Sequence, residues 1–163
     1  MTNGESPELL TSAHSSLVSR LPVWRSELGA LAGNTHSTAW FGIISKAVSL
    51  CESIIGGCLE FVGVADGKKR TMGQVVTLLK RSSHALPIEP QALEAFFELL
   101  DEVVARRNEF VHGAFRTDGS RFALSFLDCC EQLAHSPVVV HVVSAHRDAE
   151  EGTAPSGGSS YVS

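Results

Sequence analysis

Glu94-Ala95-Phe96-Phe97-Glu98-Leu99-Leu100-Asp101-Glu102-Val103-Val104-Ala105-Arg106-Arg107-Asn108-Glu109-Phe110-Val111-His112-Gly113 is the stretch from which both a fold class and a candidate site follow. Large apolar residues fall at Leu93, Phe97, Leu100 and Val104, then at Val111 and Ala114. Steps of three and four are the pattern of a helix that buries one stripe. The position the series skips is Arg107. A charge on a core stripe is costly unless it is paired or faces a cleft or a partner surface. Asn108 and His112 are four residues apart and share a face one step around from Arg107. Gly113 reads as the residue that ends or loosens the helix. A guanidinium, an amide and an imidazole near one helix C-terminus suit a phosphate ligand. Arg offers a planar fork to two phosphate oxygens, and His titrates near neutral pH. A structural reading competes: Arg107 lifts its head to solvent over a buried stem, and His112 complements the helix dipole.

The run Arg107-Asn108-Glu109-Phe110-Val111-His112-Gly113 resembles the signature of HEPN domains, an Arg, usually a polar residue, a few more positions, then a His. The wider resemblance spans about Trp40 to Phe115: a long apolar helix, a loop with Lys68-Lys69-Arg70, an amphipathic helix and the motif helix. It implies a small, mainly α, antiparallel helical bundle that dimerises through the motif helix. It also implies a metal-independent endoribonuclease, of a kind found as toxins of toxin–antitoxin systems, in anti-phage defence and in RNA processing. RNA would then be cleaved by attack of its own 2′-hydroxyl in a cleft between two protomers. By the resemblance, His112 moves protons, Arg107 stabilises the phosphorane, and Asn108 orients His112 or binds a phosphate oxygen. Arg106 and Arg116 are the candidates for further substrate contacts, with Arg106 alternatively turned to solvent. Partners would be a second copy of the chain, RNA and, in a toxin–antitoxin setting, an antitoxin protein. Some HEPN toxins carry a tyrosine two residues after the His that a partner nucleotidyltransferase modifies. Here that position is Ala114, so that control is not implied. The alternative function is a non-catalytic dimerisation or RNA/nucleotide-sensing module that keeps the same trio.

The 163 residues suit one domain, expected over residues 1–147, and 44% hydrophobic content suffices for a core. A net charge of −5 disfavours generic binding to nucleic acid, so any RNA contact must be local. Basic residues do cluster at Lys68-Lys69-Arg70, Lys80-Arg81, Arg106-Arg107, and Arg116 with Arg121; the first two groups read as solvated faces. Residues 1–7 have neither a basic nor an apolar leader region. The apolar stretch Trp40 to Val64 is interrupted by Ser45, Lys46, Ser49, Glu52 and Glu60, as in a buried amphipathic helix rather than a membrane span. A cytoplasmic chain that does not enter a membrane is expected. Cys51 and Cys58 read as small core residues, and the adjacent Cys129 and Cys130 are poorly spaced for a zinc site or a disulfide. None of the seven histidines sits at a metal-ligand spacing, so neither metal nor cofactor is expected.

Ser6-Pro7 is expected to start a first helix that Leu21-Pro22 breaks, with a short turn of helix after it. A central helix is expected from about Ser37 to Val64, with Gly56-Gly57 allowing close helix approach or a kink. Thr71 and Gln74 form a capping box for a third helix ending near Ser82, and Pro90 starts the motif helix. The alternation Arg121-Phe122-Ala123-Leu124-Ser125-Phe126 and the β-branched run Pro137-Val138-Val139-Val140-His141-Val142-Val143 suggest a small C-terminal β element over about 121–143. Residues 148–163 read as a disordered tail.

Overall fold

The computed structural model describes residues 6–31, 38–113 and 119–153. Among them are six α-helices and no strand: α1 Ser6–Ala30, α2 Ala39–Phe61, α3 Met72–Ser82, α4 Pro90–His112, α5 Gly119–Ala134 and α6 Pro137–Thr153, with a 3₁₀ turn at Ser83–Ala85. The helices share one hydrophobic core.

The expected break at Pro22 does not occur; α1 runs through it. Its buried residues, Leu10, Ala13, Leu17, Leu21, Trp24 and Leu28, form one stripe on both sides of the proline. Pro22 itself is exposed. The hydrogen bond its ring removes is therefore lost on the wet side of the helix, where water can satisfy the freed carbonyl of Val18. The packed stripe outweighs one missing bond.

α2 is the central helix, packed against α1, α3, α5 and α6. It has the length and apolarity to cross a bilayer, and 61% of its most apolar window is buried inside the bundle. Gly57 is where α1 comes closest: a Cβ there would lie 2.8 Å from Leu10 Cβ. Gly119 plays the same role at the start of α5, where the Trp40 indole occupies the space a Cβ would need.

The C-terminal β element is corrected: residues 121–143 lie in α5 and α6. In α5 the buried residues Phe122, Ala123, Phe126, Leu127, Cys129, Cys130, Leu133 and Ala134 follow helical spacing. In α6, Val138, Val139, Val142 and Val143 are buried while Val140 stays exposed. A valine costs a helix at most about 0.7 kcal/mol in propensity. Burying its side chain returns about 1.5 kcal/mol or more, so packing overrides the β preference. Pro137 at the first helical position supplies the start. The expected disordered tail is corrected in part. Residues 148–153 are the last turns of α6, and 154–163 lie outside the described residues.

α3 starts on both arms of the expected capping box: Gln74 N–H donates to Thr71 Oγ1 at 3.2 Å and Thr71 N–H donates to Gln74 Oε1 at 2.9 Å. Two polar ties fasten α1 to α5: Arg25 donates to Asp128 at 2.8 Å and Glu131 at 2.6 Å, and His14 Nε2 lies 2.9 Å from the Ala134 carbonyl. The four cysteines are free and buried, with Cys51 Sγ and Cys130 Sγ 3.5 Å apart between α2 and α5.

Burial pushes the Cys58 thiol up to about 12, and burial followed by the nearby Glu102 does the same for Cys129. The nucleophile in thiol chemistry is the thiolate, so these groups are inert while the bundle is closed. Ellman's reagent at about pH 8, below even an ordinary thiol's pKa, should titrate none of the four cysteines in the native protein and all four in denaturant.

Candidate functional site at the end of helix α4

Pro90 opens α4, and Gly113 closes it in the left-handed conformation with φ 63°. The buried side chains are Leu93, Phe96, Leu99, Leu100 and Val103. The stripe thus sits one residue off the expected series at two places, with Phe96 and Val103 inside and Phe97 and Val104 at its margin. Its register, 93-96-100-103, continues to 107 and 110, so Arg107 does occupy the next core-facing position. Full burial stops before it is reached, and both Arg107 and Phe110 are half-buried. Val111, expected on the stripe, is 53% exposed.

Arg107 keeps 28% of its side chain exposed. Its Nη2 lies 3.6 Å from Glu52 Oε2 of α2, a contact shared with solvent on the carboxylate side. Its Nη1 reaches Asn108 Oδ1 at 3.4 Å, the long end of hydrogen bonding. Its Nε is buried and has no hydrogen-bond partner among the described residues. The guanidinium is held near the surface by a loose acidic neighbour and retains donor capacity. Both elements of the structural reading are present as well, since the stem is covered and the head is wet.

Asn108 and His112 are exposed and one turn apart on the same face. Among the described residues no hydrogen bond or ion pair joins His112 to Arg107 or Asn108. The structure therefore brings Arg107 and Asn108 together and leaves His112 free, in the last turn where the helix dipole is negative. Arg106 points elsewhere, 3.6 Å from Glu102 one turn back. Arg116 lies outside the described residues. No group of three or more His, Cys, Asp or Glu among the described residues is placed to hold a metal ion.

Glu52 is the member that the sequence did not reveal. It sits on a different helix, and the only signal was an acid inside an apolar run. Phe41 is another: 52% exposed on α2, its ring meets that of Phe110 at a 46° tilt with centroids 4.9 Å apart. By contrast Phe96 is buried at 2% exposure, and Phe97 packs against it and His84. The exposed apolar side chains beside the site are therefore Phe41 and Val111, with Phe110 half-buried next to Phe41.

Gly113→Ala should destabilise the protein by about 1–2 kcal/mol, because a Cβ strains the left-handed backbone that ends α4. Gly113→Asn should cost less, and urea unfolding of the pair measures the difference. The chain matches no known family model, no curated protein and no solved structure.

Proposed function

We propose that the protein is a metal-independent endoribonuclease of HEPN type, acting as a twofold homodimer through α4, in the manner of a toxin of a toxin–antitoxin or defence system. The observation that carries the reading is the state of Arg107: next in the core register, yet only loosely neutralised by Glu52 and keeping an unpartnered Nε. A core or snorkelling arginine is usually satisfied by its own neighbours, since buried polar groups are hydrogen-bonded. Asn108 beside it and the exposed His112 one turn on supply the other two groups that phosphodiester chemistry uses.

In this mechanism the 2′-hydroxyl of the RNA loses its proton as its oxygen attacks phosphorus. The bond from phosphorus to the 5′-oxygen breaks, leaving a 2′,3′-cyclic phosphate and a 5′-hydroxyl. The nucleophile is internal to the substrate, so the protein must move protons and stabilise the phosphorane. His112 transfers the proton, Arg107 meets the charge on the equatorial oxygens, and Asn108 binds a phosphate oxygen. A twofold axis across the exposed Phe41 and Val111, beside the half-buried Phe110, would bury that patch and set two such ends beside each other. The second reading is a non-catalytic dimerisation or RNA-sensing module. The contact of Glu52 with Arg107 favours it, because an acid beside the guanidinium opposes a phosphate there.

Labelled single-stranded RNA incubated in EDTA should be cut to products ending in 2′,3′-cyclic phosphate. Arg107→Ala and His112→Ala should each lower the rate by about 100-fold or more, with an unchanged circular dichroism spectrum and a dimer by light scattering. An inactive parent, or an active His112→Ala variant, would refute the nuclease and leave the module.

A further inference from the structure

The basic runs that read as solvated faces in the sequence come together in the fold. Lys68, Lys69, Arg70 and Arg81 line an open groove of about 810 Å³ that runs from the segment before α3 to the last turn of that helix. Four of its nine lining residues are cationic and none is acidic, in a chain whose net charge is −5. The groove is thus a local reversal of sign, which the bulk charge hides.

Of its four charges only that of Arg70 is neutralised by an ion pair among the described residues. Asp66 grips Arg70 with bonds of 2.9 and 2.6 Å and fixes that side chain in place. Lys69 and Arg81 have no ion pair among the described residues and are exposed. The amide of Gln74 that would otherwise meet an anion is already taken by Thr71, so the side-chain cations, not the helix end, are the attractive feature. The rest of the lining includes Thr77 and Gln74 and contains no aromatic ring. Such a surface follows a phosphate backbone and does not read or stack bases. Its one large apolar side chain, Leu78, is half-buried against the core and so poorly placed to insert into a lipid surface.

The position of the groove gives it a purpose. α3 and α4 form a helical hairpin, and two pairs fix its register: His84 faces Phe97 with ring centroids 5.8 Å apart, and Lys80 binds Asp101 at 2.7 Å. Both pairs are equidistant from the same turn. The groove therefore runs from Arg81, near the turn, to Lys68–Arg70 at the open end of the hairpin, the end at which α4 finishes.

We propose that this groove is a track for the sugar–phosphate backbone of single-stranded RNA, with Lys69 and Arg81 as its principal phosphate contacts, leading the strand toward the Arg107 end of α4. The choice of RNA rests on the ribonuclease reading, whereas the attraction to a phosphodiester chain rests on the groove alone. Binding is independent of base sequence and weakens steeply with salt.

The test uses the full chain and a fluorescein-labelled, mixed-sequence 2′-O-methyl oligoribonucleotide, which has no hydroxyl to attack and cannot be cleaved by this route. Anisotropy should show binding that falls with salt. The Lys69→Glu/Arg81→Glu variant should bind at least about tenfold more weakly, and its salt slope should shrink by roughly 1.4, at about 0.7 per phosphate contact on a single strand. Circular dichroism should be unchanged, since both residues are exposed. A parent that does not bind the oligonucleotide overturns the track, as does a variant that binds as well as the parent. Capture by phosphatidylserine vesicles in place of the oligonucleotide overturns it too. Salt-dependent binding lost in the variant, without cleavage of natural RNA by the parent, supports the track and removes the nuclease. Cleavage of natural RNA by both proteins, with equal binding, removes the track and keeps the nuclease.

Discussion

Helix α4 is anchored by a single stripe, Leu93, Phe96, Leu100 and Val103, and the next position in that register is Arg107. A guanidinium cannot follow three apolar turns into the core without several kcal/mol of desolvation. The helix is therefore only partly buried over its last turns, where Arg107 lies at the margin and Phe110 still packs against the core. That constraint places Arg107 at the margin, exposes Asn108 and His112, and leaves Val111 and Phe41 uncovered. It also explains why Gly113 ends the helix where it does: a left-handed closure stops the chain before it would run on through solvent.

The rest of the bundle holds that end in place. α5 packs against α1, α2 and α4 and so ties the motif helix to the central pair. Its own start is set by Gly119 against Trp40, near Phe41 and Phe110. The α3–α4 hairpin, locked by Lys80–Asp101 and His84–Phe97, carries the basic groove to the same end. Residues 68–70 and 107–112, far apart in sequence, thereby lie toward the same open end of one hairpin.

The helices with a sharp local signal were legible in the sequence. Thr71 with Gln74 marked the start of α3, Pro90 the start of α4, and Gly113 its end, because each acts through backbone bonds within a few residues. Gly57 was legible as a point of close approach. What failed depended on contacts distant in sequence. Pro22 was read as a break because its lost hydrogen bond is local, while the stripe that carries α1 through it is seen only against α2 and α5. The valines of α6 were read as a strand because their β preference is local, while their burial is not. The trio at the end of α4 was visible as a pattern, but its partner Glu52 was not, nor was the convergence of Lys68–Arg70 with Arg81, since both arise from packing.

The central claim is that the final turns of α4 lie at the margin of the core and that Arg107 is held there for chemistry rather than for stability. Urea unfolding of Leu100→Ala and Arg107→Ala, side by side, tests it most directly. Leu100 is fully buried, and its loss should cost about 2–5 kcal/mol. Arg107, loosely paired and partly exposed, should cost less than about 1 kcal/mol when truncated. An Arg107→Ala variant as unstable as Leu100→Ala would make the arginine a structural element of the core and contradict the account.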